Sequence, residues 1–211
     1  FSDIEKLDRL KKLPSPKIIL VGGSNVAMGI DSEMLERELK MPVVNTGLHA
    51  GLGLRFLFER VREYVYEGDI VIISPEYENF FDDFYNGYGP IIAGMTASLP
   101  DHIRYLSNFQ QMKLLITSVN SVLSSKIYNI SLLVMKNSGD DESFKEEMIY
   151  SRNSFNQWGD VVSHLKKNSP GISPDKVYDL SSRNENNEVF HYFNDVNRYI
   201  RGKGALMIFT F

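Results

Sequence analysis

The sequence predicts an α/β protein, a doubly wound parallel sheet of the flavodoxin-like kind with a helical insertion. Three observations carry that expectation. The apolar runs within 17–21, 42–44 and 69–73 are unbroken rather than alternating, as strands covered on both faces require. Helical stretches lie between these runs, so strand and helix alternate through the first 75 residues. The connections are short, which implies right-handed crossovers between parallel neighbours.

The elements follow in order. Phe1–Leu13 places Ile4, Leu7, Leu10 and Leu13 at three-residue spacing, a short amphipathic helix ended by Pro14 and Pro16. The first strand runs from Lys17 into Gly22-Gly23-Ser24-Asn25. Met28–Lys40 is expected as one helix with Met34, Leu35 and Leu39 on one side and charges on the other. Pro42–Gly47 is a second strand leading into the glycine-rich turn Gly47–Gly53. Leu54–Glu67 is the next helix, with Leu54, Leu57, Val61, Tyr64 and Val65 as its buried stripe and Gly68 as its stop. Asp69–Pro75 is the third strand.

Between Tyr77 and Ser169 the alternation breaks. An aromatic piece (Tyr77, Phe80, Phe81, Phe84, Tyr85, Tyr88) precedes a helical region over 98–135 and a polar stretch over 136–151. A mobile loop is expected near 137–145. We take 80–170 as a helical insertion or cap on one domain spanning 1–211. Residues 170–185 are turn-rich, Asn187–Lys203 reads as a helix, and Gly204–Phe211 as a fourth buried strand. A chain ending inside an apolar strand is expected to continue past Phe211. It begins at Phe1 rather than Met, so an upstream leader or membrane anchor would not be seen.

Composition removes several function classes. The 211 residues carry 23 Lys+Arg against 27 Asp+Glu, a net charge of −4, without the basic face that an electrostatic nucleic-acid binder needs. The absence of Cys removes disulfides, Cys-ligated zinc and thiolate nucleophiles. No His/Asp/Glu grouping has metal-ligand spacing, and no phosphate-loop or dinucleotide fingerprint is present, so no cofactor is expected.

The chemistry-bearing residues stand at strand ends. In open α/β sheets ligands bind outside the carboxyl ends of the strands. Ser24 follows the first strand beside two glycines, where its hydroxyl would be exposed near a helix N-terminus. The plain alternatives are a helix-capping serine or glycines that let strand and helix pack closely. After the second strand, Gly47 and Gly51 would expose backbone N–H groups as oxyanion donors, or serve turn geometry alone. His49 between them is expected as a structural hydrogen-bonder. After the third strand, Glu76 would turn a carboxylate toward the same crevice.

This ordered set resembles the SGNH/GDSL hydrolase superfamily, whose fold is this doubly wound sheet. The resemblance covers residues 17–80 and, loosely, 187–211. It implies Ser24 as nucleophile and a glycine of the 45–51 turn, Gly51 or Gly47, as oxyanion donor. Ser74-Pro75-Glu76-Tyr77 stands where the family has an Asn after the third strand, similar to DltD-type cell-surface acyl-transfer proteins. The family's Asp-x-x-His is missing: Asp195-Val-Asn-Arg198 has the spacing, but Arg is no general base at neutral pH. That pair is expected downstream of Phe211, with His102, His164 and His191 as substitutes.

The resemblance implies a serine-dependent esterase or O-acyltransferase acting on a small acyl ester or on acetyl groups of a cell-surface glycan. It also implies an extracytoplasmic or membrane-associated setting. The alternatives are a non-catalytic protein of the same fold that binds a glycan or partner in envelope assembly, and an unrelated flavodoxin-like binding domain. The aromatic cluster over 77–88 suits an acyl or sugar pocket, or ordinary core between sheet and cap. Lys166-Lys167 is too small for a polyanion site, and Asn129-Ile-Ser131 is a chance glycosylation pattern. No oligomeric state follows from these residues.

Overall fold

The apolar runs do become strands. A computed structural model describes residues 2–116, 154–166 and 183–210. In it β1 (Ile18–Gly22), β2 (Val43–Asn45), β3 (Ile70–Ser74) and β4 (Leu206–Phe209) form one sheet in the order β2-β1-β3-β4. Every pairing is parallel, with Ile18 opposite both Val43 and Ile70, and Ile70 opposite Leu206.

The two-residue period of a strand splits each run between two layers. Ile19, Val21, Val44, Val71 and Ile73 face the larger core, filled by α1 (Ser2–Lys12), α4 (Leu54–Arg62) and α7 (Glu188–Gly202). Ile18, Leu20 and Val43 face a smaller core closed by α2 (Ser24–Gly29) and α3 (Ser32–Leu39), with Ile70 and Ile72 at its margin. Helices on both faces make the sheet doubly wound, as the sequence predicts.

Three sequence expectations need correction. The helix expected over 28–40 is two, because Ile30 is extended and Asp31 restarts the chain by capping Met34 N at 2.9 Å. On α3, the apolar side expected of Met34, Leu35 and Leu39 is divided: Leu35 packs against the smaller core, while Met34 and Leu39 are 46% and 56% exposed. The fourth strand is not buried. Leu206, Ile208 and Phe209 are 41–48% exposed, because β4 is the sheet edge and pairs with β3 alone among the described residues.

The insertion packs into the larger core. Tyr85, Ile92 of α5 (Gly89–Ser98), Tyr105, Leu106 and Leu114 all belong to it, and Phe56 of α4 meets the His102 and Tyr105 rings. Residues 154–162 line the opposite edge, where Asn45 N donates to Trp158 O and Val161 N to Ala27 O. The loop expected near 137–145 lies outside the described residues.

Buried charges fix the layers to one another. At the amino ends of the strands Lys17 Nζ pairs with Asp69 Oδ2 at 2.9 Å, both side chains fully buried. Asp69 also accepts from the Lys17 and Tyr66 N–H groups, so neither charge is left unsolvated without a partner. On α1, Asp3 pairs with Arg60 of α4 and with His102, and Arg60 donates to Thr46 O while Lys6 donates to Gly47 O. These contacts hold the 46–47 backbone from beneath.

Candidate active site

Three strand ends meet above β1. Gly22-Gly23 lets the chain leave β1 without a β-carbon in the way. A Cβ on Gly22 would lie 2.5 Å from Ser74 O, and one on Gly23 2.5 Å from Glu76 Oε1 and 2.8 Å from Ala50 Cβ. The turns after β2 and β3 therefore close on the β1 exit only because both positions are glycine. Leu48 N donates to Gly22 O at 3.2 Å, which joins the second turn to the first.

Ser24 stands at this junction, partly exposed, and its Oγ donates to Glu76 Oε1 at 2.7 Å. The same carboxylate oxygen accepts the Asn25 N–H at 3.3 Å. The capping role is thereby set aside: α2 is preceded by Gly23, and no side-chain cap closes it. Glu76 is itself held, its N–H donating to the buried Asn79 Oδ1 at 2.9 Å after the buried Pro75. Asn25 Nδ2 donates to Ser74 O at 3.2 Å and Ser74 Oγ at 3.1 Å, tying the first strand end to the third.

The two glycines expected as oxyanion donors are not available in this conformation. Gly47 N donates to Asn45 Oδ1 at 2.9 Å, and Gly51 N to His49 Nδ1 at 2.9 Å. Each amide is satisfied by a side chain two residues earlier, and for Asn45 this is the local side-chain-to-backbone bond common to Asn. The Ser24 N–H, in the first turn of α2, has no acceptor among the described residues.

None of the substitute histidines is bonded to Ser24. His102 Nε2 lies 2.6 Å from Asp3 Oδ2 in the buried network, His191 is exposed on α7, and His164 sits in the 3-10 turn Ser163–Lys166. His49 uses Nδ1 as acceptor for Gly51, which puts the neutral ring's proton on Nε2. It faces outward as a donor rather than a base. Asp195 and Arg198 form an exposed ion pair on α7, 3.3 Å apart, as a solvated helical face. Among the described residues no group of three His, Asp or Glu could hold a metal.

Two residues support the site, Asn45 of the 45–51 turn and Asp160, which no sequence motif marks. Asn45 Nδ2 donates to Val26 O and to Asp160 Oδ1, each at 2.8 Å, while its Oδ1 holds Gly47. Asp160, 4% exposed, also accepts from Ser32 N at 3.0 Å and Ser32 Oγ at 2.5 Å. An Asn at a strand's carboxyl end was a visible signal. Asp160 lies 115 positions from Asn45, and nothing local marks it.

Set against family models, curated proteins and solved structures, the chain matches none. The chemistry of the site is therefore read from its own geometry.

Proposed function

We propose that this chain is a serine-dependent acyl-transfer protein, an esterase or O-acyltransferase. The hydrogen bond from Ser24 Oγ to Glu76 Oε1 carries the reading. Ser24 Oγ attacks the carbonyl carbon of an ester while its proton passes to Glu76. The carboxylate loses its charge as the oxyanion forms, so the two do not repel at the moment of attack. The Ser24 N–H donates to that oxyanion. Protonated Glu76 returns the proton to the departing alkoxide, and water or an acceptor hydroxyl then takes the acyl group from Ser24. Acetyl groups of a cell-surface glycan are the substrate class that fits the family resemblance.

A fluorophosphonate probe tests this. The wild-type chain is expected to label, Ser24→Ala to lose labelling, and Glu76→Gln to slow it about 100-fold. Labelling that survives Ser24→Ala overturns the proposal. A second reading is favoured by the satisfied Gly47 and Gly51 amides: a non-catalytic protein that holds a glycan or partner at the same crevice. No labelling, together with saturable glycan binding lost in Glu76→Gln, selects it.

A further inference from the structure

Arg55, in the first turn of α4, carries a charge that no acid answers among the described residues. Arg60 and Arg62 of the same helix pair with Asp3 and Glu59, but no carboxylate pairs with Arg55. Its guanidinium lies instead against two tyrosine rings, 4.9 Å from the Tyr192 centroid and 5.6 Å from that of Tyr85. Nε is buried there without an acceptor, and the terminal nitrogens make no hydrogen bond among the described residues. Aromatic faces hold a guanidinium flat and so fix the direction of its donors. An oriented, partly desolvated fork of this kind matches an oxoanion, phosphate or carboxylate, which accepts two N–H groups at once.

Arg55 borders two cavities, and charge chooses between them. One, of about 540 Å³, lies toward the start of α6, described over 108–116, and is lined also by Asp83 and Glu188, which repel an anion. The other, of about 550 Å³, is the groove between α4 and α7. Arg55, Glu59 and Arg62 stand on one wall of it, and Tyr192, Asp195 and Arg198 on the other. Both acids of this groove are already answered, Glu59 by Arg62 at 3.0 Å and Asp195 by Arg198 at 3.3 Å. Glu59 also accepts the Tyr192 hydroxyl at 3.2 Å. Arg55 is therefore the surplus positive charge. The volume falls within the range of roughly 300–1,000 Å³ that small-molecule sites occupy.

We propose that the groove between α4 and α7 binds an anionic small molecule, whose phosphate or carboxylate group is held by Arg55. The groove shares no residue with the Ser24–Glu76 crevice, and the proposal is independent of the acyl-transfer reading. Titration of the isotope-labelled 211-residue chain with inorganic phosphate, and separately with acetate, tests it by nuclear magnetic resonance. The Arg55 Nε–H peak, assigned by its loss in Arg55→Lys, is expected to shift saturably, and the tighter of the two anions names the ligand's acid group. The Kd is expected at about 1 mM or tighter, the range that two charge-assisted hydrogen bonds support. Followed at the backbone amides of the groove, Arg55→Gln is expected to weaken binding about tenfold or more. Arg55→Lys, which keeps the charge without the planar fork, is expected to fall between. Ser24→Ala is expected to bind as the wild type does. Thermal melts of the variants show that they fold, and the wild-type titration stands whether or not they do. The proposal is overturned if neither anion shifts the Arg55 peak saturably, or if Arg55→Gln binds as tightly as the wild type. Loss of binding in Ser24→Ala also overturns it, since the anion then belongs to the crevice.

Discussion

Gly23 decides whether the Ser24 and Glu76 side chains meet. Its missing β-carbon is the space in which Glu76 Oε1 and Ala50 Cβ sit. Gly23→Ala is expected to push Glu76 off Ser24, costing about 1–3 kcal/mol by overpacking and most of the probe labelling. Urea melts and labelling rates measure the two effects separately. Beneath the same turn, Asp3 carries a pH dependence. Burial pushes its carboxyl up, but Arg60, then His102 and Lys6, outweigh that and hold it below the ordinary 3.8. The unfolded group titrates near about 3.9, so its stabilisation is complete above that pH and disappears as pH falls through the lower folded value. Asp3→Asn is expected to flatten the acid limb of a stability-against-pH curve. At neutral pH it would cost about 3–5 kcal/mol by stranding Arg60.

Among the elements, β1, β2 and β3 were legible because unbroken apolar runs bounded by glycine and proline admit few other placements. α4 was legible in part: Leu54, Leu57 and Val61 are buried as its spacing predicts, but the helix ends at Arg62 rather than Glu67, which leaves half-buried Tyr64 and buried Val65 beyond its end. Its other face was not, since Phe56, Phe58 and Arg60 are also buried, Phe56 under the insertion, Phe58 against Tyr199 of α7 and Arg60 against Asp3 of α1. Ser24 and Glu76 could be named from strand ends, but their bond depends on two glycines and a proline fixing backbone paths 52 residues apart. Residues 154–162 had no periodic pattern to read, because they are held by polar groups. Asp160→Ala is expected to cost about 3 kcal/mol, since Ser32 and Asn45 donors lose a charged acceptor. Hydrogen exchange should then rise at Asn45 and Val161, whose amides bond across that edge.

For the whole molecule, β4 is the vulnerable boundary. Leu206 and Ile208 are 48% and 41% exposed on a strand whose outer edge is unpaired among the described residues. Such an edge templates pairing with other chains, and an inward charge blocks it. Ile208→Lys is expected to reduce concentration-dependent light scattering while leaving the melting temperature within a few degrees.

The Lys17–Asp69 pair lies where β1 and β3 begin, a full strand length from Ser24 and Glu76, where those strands give way to loops. The buried ion pair and the candidate site are thereby posted at opposite poles of one sheet. A lineage that reshaped the crown of this protein for a new ligand would leave its foundation undisturbed, so the upper loops are free to diversify.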